Sequence, residues 1–202
     1  MKEGSPFRMR FVLVFALALS APVLRAQQAP WNEVKTDPSA MSFSKVTPST
    51  LERQSIIKLL KSRKAAVWEC ETDDKKGEWL DGLIFEDISL SPEHRILLVE
   101  AGAGCARGGQ GSNGAMWLVQ LDGPNPAVLA SPDHGFNGWV FSVQSSASHG
   151  YKDLVLGWHM GASEAGLNYL RFNGKWYEPI GSATLTTDEN DHSTITPNPP
   201  ST

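Results

Sequence analysis

Residues 151–179 constrain the fold more than any other part of this 202-residue chain, because each segment of the stretch has a clear local preference. Residues 153–158 form a short apolar run that contains a glycine, which is typical of a strand buried on at least one face. A loop of small residues follows at 161–166, and an apolar strand pattern resumes at 167–172. The stretch therefore predicts two neighbouring antiparallel strands joined by a loop.

The dipeptide Asn173-Gly174 predicts how the next strand returns. A two-residue type I′ turn prefers this pair, because both central residues need positive φ. We therefore expect a hairpin in which Arg171 stacks on Trp176 across the strands. The expected pairs are Phe172 with Lys175, Arg171 with Trp176 and Leu170 with Tyr177. One face of the hairpin would carry Leu170, Phe172 and Tyr177.

The chain upstream of this stretch also has the pattern of short strands separated by turns rich in Asp, Gly and Pro. The predicted strands are 66–72, 79–88, 95–101, 115–121, 127–130 and 138–144, with a return strand at 175–178. One helix is predicted, because Ser49 is a suitable N-cap and Glu52, three residues later, completes a capping box. Since no helical crossovers separate the strands, we expect a mainly-β fold: an antiparallel meander that forms a small barrel or a two-sheet sandwich with one N-terminal helix.

Residues 1–26 have the layout of a secretory signal peptide. Basic residues precede the apolar run 11–19, and small residues up to Ala26 provide a suitable cleavage site. The apolar run is about half of the roughly 20 residues that span a bilayer, which argues against a membrane anchor. We therefore expect a secreted or periplasmic protein that does not associate with the membrane once the signal is removed.

Removal of the predicted signal leaves an acidic chain. Residues 27–202 contain 14 basic and 21 acidic side chains, which gives a formal charge of −7. The basic residues at the end of the predicted helix are explained by the helix dipole, and the chain lacks the basic surface of a nucleic-acid binder. Nucleic acid is therefore not an expected partner.

Composition divides the exported portion into three parts. Residues 27–45 contain prolines among polar residues without sustained periodicity, which predicts a linker that is able to lie against the domain. Residues 46–182 have a common size for a domain with a single core. Residues 183–202 are rich in Thr, Ser, Asn and Pro, which predicts a disordered tail. The acidic residues of that tail, Asp188, Glu189 and Asp191, lack the spacing of a calcium-binding loop and are predicted to be solvated.

The chain contains two cysteines, Cys70 and Cys105, and both belong to the exported portion. An oxidising compartment favours a disulfide between them, which by chain entropy would contribute on the order of 3–4 kcal/mol. A reactive or metal-binding thiol is the alternative, but the sequence has neither a Cys-x-x-Cys motif nor a nearby His. We favour the disulfide.

The glycine-rich segment 101–114 contains Gly109-x-Gly111-x-x-Gly114, the string of a dinucleotide-binding motif. Such a motif needs a helix after it, whereas residues 115–121 have a strand pattern. We therefore expect no cofactor here. A long loop that carries one cation, Arg107, is instead a candidate recognition loop.

Three titratable residues near the predicted strand ends are candidate catalytic groups: His149, His159 and Glu164. His159 and Glu164 are five residues apart across a loop, which matches no established ligand spacing, so no metal site is predicted. We favour a local structural role for both over an acid–base pair. Trp158, beside the same loop, is a candidate stacking surface for a sugar ring or an anchor for a protein.

The segment Tyr151-Lys152-Asp153-Leu154-Val155-Leu156-Gly157 resembles the Asp-Leu-Val-Val-Gly core of an FG-GAP or VCBS-type repeat, a calcium-binding propeller blade. The preceding residues 145–150 lack the Asp-rich calcium loop of that family, and one copy is visible where a propeller needs several. Residues 99–178 also resemble small exported bacterial proteins without an assigned activity. That resemblance implies export and a β fold.

These features predict an exported binding or inhibitor-like module of the cell envelope. Its candidate ligand-binding residues are Arg107, Trp158, His159 and Glu164. The expected partner is an envelope protein or a glycan. Two alternatives remain, a small hydrolase that uses His159, Glu164 and His149, and a carbohydrate-binding module that uses Trp158.

Overall fold

The computed structural model describes residues 29–35, 41, 43–62, 80, 82–102, 113–122 and 125–199. The predicted signal peptide, the predicted strand 66–72, Cys70, Cys105 and Arg107 all lie outside these residues. What the sequence predicts for them therefore stays a prediction.

The described residues form two five-stranded antiparallel sheets and one α-helix. In spatial order the first sheet contains β1 (Ser44–Lys45), β2 (Ile84–Asp87), β3 (Ile96–Glu100), β4 (Met116–Gln120) and β5 (Ala127–Ala130). The second contains β6 (Trp139–Ser148), β7 (Tyr151–His159), β8 (Glu164–Phe172), β9 (Tyr177–Thr187) and β10 (Ser193–Pro197). Because strands adjacent in sequence are adjacent in each sheet, both sheets are meanders. The predicted mainly-β antiparallel fold is confirmed, in its two-sheet form.

Helix α1 (Thr50–Lys61) begins where its N-terminal signals predict. The Ser49 hydroxyl accepts a hydrogen bond from the backbone of Glu52, whose carboxylate accepts one from the Ser49 backbone at 2.7 Å. Ile56 and Leu60 are fully buried against the outer face of the first sheet. The predicted capping box is therefore confirmed, and the helix covers one sheet face.

The inner faces of the two sheets meet in a shared core. Alternate residues of β3 and β4 pack against alternate residues of β7 and β8, as expected for two sheets packed face to face. The buried members from these four strands include Ile96, Leu98, Met116, Leu118, Leu154, Leu156, Leu170 and Phe172. This core joins the two sheets into one domain.

The outer face of the second sheet is covered by the N-terminal segment 29–34. Its short 3₁₀ helix, Trp31–Glu33, places the Trp31 ring edge-on to Tyr169 with 5.7 Å between ring centroids. Val34 is buried in the same cluster, and Ala29 packs beside Gly181. Within the predicted linker 27–45, these residues pack against the domain and β1 pairs with β2.

The predicted disordered tail is wrong over 183–197. Strand β9 continues to Thr187, and β10 pairs with it in a regular antiparallel register. Ala183 and Leu185 are buried in the outer core of the second sheet. Residues 183–197 have a polar composition because β10 is an edge strand. More buried and more exposed residues alternate along 183–187 and along β10, and the more buried ones make enough apolar contact to order the segment.

The turn after β8 is longer than predicted. Phe172 pairs with Tyr177, so residues 173–176 form the turn. The Asn173 side-chain oxygen accepts hydrogen bonds from the backbone N–H of Lys175 and of Trp176, both at 3.0 Å, which stabilises the wider turn. The predicted register is therefore wrong by two residues. A shift of two preserves the faces, so Leu170, Phe172 and Tyr177 share the inner core as expected.

The wider turn also separates Arg171 from its predicted stacking partner. Arg171 lies opposite Glu178, and the predicted stack on Trp176 is wrong. The Trp176 ring instead stacks on His134, with 5.3 Å between ring centroids, and Lys175 Nζ lies 4.5 Å from the Trp176 ring centroid.

Candidate functional site

Two tryptophans lie flat against glycines at one end of the second sheet. A Cβ atom on Gly166 would come within 2.1 Å of Trp158 Cζ2, and one on Gly157 within 2.6 Å of Trp139 Cε2. Each glycine thus leaves the space that an indole ring fills. Gly157 and Gly166 belong to β7 and β8, so the predicted loop 161–166 is reduced to a short turn, 160–163.

That turn forms a narrow tip. The backbone N–H groups of Met160 and Gly161 both donate to the carbonyl oxygen of Glu164, at 3.0 and 3.1 Å. All side chains of residues 160–163 are exposed, and Met160 is 57% exposed. The tip is therefore held by its own hydrogen bonds and presents one large apolar side chain to solvent.

Asn113 joins this hairpin to the first sheet. Its side-chain oxygen accepts from the backbone N–H of His159 at 2.8 Å, and its amide nitrogen donates to the His159 carbonyl at 3.1 Å. The side chain thus imitates one residue of a neighbouring strand. Asn113 stands at the end of the glycine-rich segment, so the pair places that end beside His159.

Gly138 allows the close approach of strands at the same end. It has a φ of +108°, and a Cβ atom there would lie 2.0 Å from the Gly157 carbonyl oxygen. Its backbone N–H donates to the Gly114 carbonyl at 3.0 Å. Only glycine fits this position, and its hydrogen bond ties the start of β6 to the second residue before β4.

The turn between β9 and β10 lies on the other side of the tip. The Thr187 backbone N–H donates to the Ser163 carbonyl at 2.9 Å. Asp188 stabilises this turn, since one of its oxygens accepts from the backbone of Asn190 and of His192, both at 2.9 Å. The hydrogen bond from the His192 backbone is the largest cause of the lowered pKa of Asp188, and that from Asn190 adds to it. We call this end of the second sheet the rim: Asn113, Trp139, 159–164 and 188–192.

The rim does not bring the candidate catalytic residues together. His159 pairs with Ala165, and paired residues project from the same face of a sheet, so the adjacent Glu164 projects from the opposite face. The His159 ring packs against Trp139, with 4.3 Å between centroids. His149 lies in the turn before β7, roughly 30 Å along the strand from His159 at about 3.3 Å per residue. The three residues therefore form no common site.

Trp158 is half-buried on the face that carries Glu164. One face of its indole is occupied by the Gly166 backbone, so packing accounts for much of its environment. Across the described ranges, no group of three or more His, Cys, Asp or Glu side chains is arranged to hold a metal ion.

A buried ion pair that the sequence analysis missed lies in the middle of the second sheet. Asp153 is wholly buried and accepts hydrogen bonds from the Arg171 guanidinium, the shortest at 2.8 Å, and from the Ser146 hydroxyl at 2.8 Å. Ser146 and the Tyr169 hydroxyl are 2.9 Å apart. Burial raises the pKa of Tyr169, although the hydrogen bond with Ser146 acts in the other direction.

A β-bulge creates this cluster. Val143 pairs with Leu154 and Ala147 with Lys152, so residues 144–146 of β6 stand opposite the single residue Asp153. The bulge turns the Ser146 hydroxyl onto the carboxylate. The arrangement satisfies a buried charge and fixes the strand register, which is a structural role.

A second missed cluster joins the ends of β3 and β4. His94 Nδ1 contacts the Asp122 carboxylate, and the Gln120 amide donates to the same carboxylate at 2.6 Å. Tyr151 stacks on His94 and donates its hydroxyl proton to Gln120 at 2.7 Å. Burial opposes the ionised form of Asp122, but the hydrogen bonds from Gln120, the Arg95 backbone and His94 outweigh it and lower its pKa.

This second cluster holds an imidazole in a fixed orientation beside a carboxylate. Catalytic His–Asp pairs share that feature. Here the hydrogen-bonding partners of His94 are Asp122 and Gln120, both members of the cluster. These contacts connect the two sheets, and among the described residues they bring no reactive hydroxyl to the imidazole.

The fold and the rim define a two-sheet β protein with one covering helix and a protruding hairpin. No family model, curated protein or solved structure matches the chain. The resemblance to a propeller repeat and to small exported proteins therefore stays a prediction. In the part of the chain that the structure describes, no helix is long and apolar enough to cross a membrane.

Proposed function

We propose that the protein is an exported binding or inhibitor-like module of the cell envelope and that the rim is its binding surface. The observation that carries the proposal is the two-point contact between Asn113 and His159. It joins the glycine-rich segment, which contains Arg107, to the hairpin that contains Trp158, His159 and Glu164. Two loops on a β scaffold that meet at one end are a common way to build a recognition surface.

The shape of the rim favours binding over catalysis. Active sites are usually concave, with polar groups that converge on one point. At the rim His159 and Glu164 project from opposite faces, and the tip between them is exposed. A shallow cavity of about 290 Å³ lies away from the rim, on the first sheet, where Lys45, Arg53 and Phe85 contribute to its lining.

Sequence features support the envelope location. Residues 1–26 have the composition of a signal peptide, and an exported chain with two cysteines favours the Cys70–Cys105 disulfide. The disulfide would tie the start of the glycine-rich segment to residues after α1. A recognition loop restrained at both ends loses less conformational entropy on binding.

Capture of binding partners tests the proposal. The purified chain is immobilised and exposed to solubilised envelope proteins and, separately, to peptidoglycan. The double variant His159→Ala/Glu164→Ala is compared with wild type, and His134→Ala/Glu93→Ala serves as a matched control because both of its residues lie outside the rim. We expect the rim variant to lose capture while the control keeps it. Equal capture by both variants would show that the rim is not the binding surface.

The same experiment separates a protein partner from a glycan. Retention by peptidoglycan that is lost in Trp158→Ala would favour the carbohydrate-binding alternative. Retention by envelope proteins that depends on His159 and Glu164 favours the inhibitor-like module.

A further inference from the structure

We propose that the partner of the rim is a basic protein surface that surrounds an apolar pocket, and that Met160 enters this pocket. The inference rests on the proposed function and adds the chemistry of the partner. Two independent properties of the rim carry it: the shape of the hairpin tip and the sign of the surrounding charge.

The tip has the shape of an insert. Met160 is followed by the small, exposed residues Gly161, Ala162 and Ser163, so the hairpin ends in a narrow knob with one long apolar side chain. Methionine adapts its shape to irregular apolar pockets and is enriched at protein interfaces. A protruding knob requires a concave partner.

The knob is also preorganised. Its backbone is held by the two hydrogen bonds to the Glu164 carbonyl, by Asn113 at His159 and by the Thr187 contact to Ser163. A segment that is already ordered has less conformational entropy to lose when it binds. The same hydrogen bonds prevent the tip from folding back to bury Met160.

Apart from histidine, the charged side chains of the rim as defined above all have one sign, and Arg107 lies outside the described residues. Glu164, Asp188, Glu189 and Asp191 are all exposed at the rim. No Lys or Arg occurs between Asp153 and Leu170 or after Lys175 in the whole sequence. The two histidines of the rim are its other titratable groups. Charge complementarity therefore selects a basic partner surface and disfavours an acidic one, which would meet like charges.

These carboxylates do not form a cation site. One oxygen of Asp188 is occupied by backbone N–H groups within its own turn. The chain spacing of the acidic residues differs from that of a calcium loop. Glu164, Glu189 and Asp191 therefore contribute a negative electrostatic potential at the rim, near Met160.

A photo-crosslinking experiment tests the inference on the full chain. The photoreactive amino acid p-benzoylphenylalanine replaces Ala162, which leaves Met160 intact, and the protein is irradiated in solubilised envelope extract. We expect one main adduct, with a partner of isoelectric point above about 9. Its yield should fall as salt is raised, because screening weakens attraction between exposed charges.

Variants that remove charge or the apolar side chain are compared in the protein that carries p-benzoylphenylalanine at position 162. The variant Glu164→Gln/Glu189→Gln/Asp191→Asn should reduce the yield roughly tenfold through loss of electrostatic steering. Met160→Ser should reduce it separately, with little effect on its salt dependence. The matched control Asp87→Asn/Glu93→Gln/Asp133→Asn removes three exposed charges outside the rim and should keep the wild-type yield.

The outcomes distinguish the two proposals. An adduct with an acidic or neutral partner, or a yield that both triple variants reduce equally, overturns the basic-partner inference and leaves the rim as the binding surface. Absence of any adduct, together with unchanged capture by His159→Ala/Glu164→Ala, overturns both proposals. Thermal unfolding of each variant distinguishes the loss of an adduct through lost binding from its loss through unfolding.

Discussion

Substitution of Gly166 by Ala should destabilise the protein through the indole ring of Trp158. The added Cβ would lie 2.1, 2.2 and 2.7 Å from three atoms of that ring, whereas ordinary contacts begin near 3.4 Å. The ring would have to move by more than 1 Å to restore contact, at a cost of about 1–3 kcal/mol for an overpacked site. Loss of glycine flexibility in the unfolded chain offsets about 0.4–1 kcal/mol. The net destabilisation is therefore about 1–2 kcal/mol.

Urea unfolding followed by tryptophan fluorescence measures this effect. The unfolding midpoint should fall without a change in the slope of the transition, and the melting temperature should drop by roughly 2–8 °C. Gly161→Ala is the matched control, because a Cβ atom there would meet nothing within 4 Å. We expect the control to change stability by less than about 0.5 kcal/mol.

A double-mutant cycle identifies the cause. In a Trp158→Ala background the clash is absent, so Gly166→Ala should become neutral or slightly stabilising. The coupling energy between the two positions should then be about 1–2.5 kcal/mol. If Gly166→Ala destabilises the protein equally with and without Trp158, the ring is not the reason for the glycine, and our account of this end of the sheet is wrong.

Three further predictions test other contacts. Asp153→Asn should cost about 3 kcal/mol in urea unfolding, because it removes the buried carboxylate that pairs with the Arg171 guanidinium, and a cost below about 1 kcal/mol would contradict this. Burial raises the pKa of Tyr177, so its phenol stays protonated in the fold after the unfolded chain has ionised near pH 10. Stability should therefore fall as pH rises above about 10, and Tyr177→Phe should make that fall shallower by up to about 1.4 kcal/mol per pH unit, as measured by urea midpoints across pH. Asn113→Asp replaces the donor to the His159 carbonyl with an acceptor, so it should cost about 1–2 kcal/mol in stability and weaken partner capture. Unchanged stability and unchanged capture would show that the two hydrogen bonds between Asn113 and His159 do not support the rim.

The fold class could be predicted because its signals are local. Ser49 and Glu52 form a capping box within the first turn of the helix and so predict where it begins. Short apolar segments between turn residues predict most of the strands. Strand β5 was predicted with its observed bounds, Ala127–Ala130. The edge strand β10 could not be predicted from composition, because its ordering depends on Ala183 and Leu185 of the neighbouring strand.

The length of the turn at Asn173 was predicted wrongly for a different reason. The dipeptide with Gly174 favours a two-residue turn, but the Asn173 side chain bonds to two later backbone N–H groups and stabilises a longer one. Both structures are compatible with the local sequence. The choice between them follows from the packing of Phe172 and Tyr177 into the inner core, where they contact residues distant in sequence.

The site clusters were harder to predict than the fold, because their members are distant in sequence. Asp153 and Arg171 are brought together by the pairing of β7 with β8, and the hydroxyl of Ser146 reaches them only through a bulge. His94 and Asp122 meet because Ile96 pairs with Gln120 across β3 and β4. Spacing rules for motifs do not detect such pairs. A correct prediction of the strand register would have placed these residues opposite each other.

The two glycine and tryptophan pairs change how the hairpin is interpreted. The small residues at 161–166 predict a loop between two strands, with Trp158 beside it as a candidate stacking surface. In the structure Gly157 and Gly166 lie in β7 and β8, and Trp139 and Trp158 fill the space above them. The aromatic rings therefore serve mainly to stiffen the end of the sheet. A stiff hairpin that exposes Met160, with carboxylates beside it, is better suited to insertion into a partner than to enclosing a substrate, because its apolar contact and its charge both face outward.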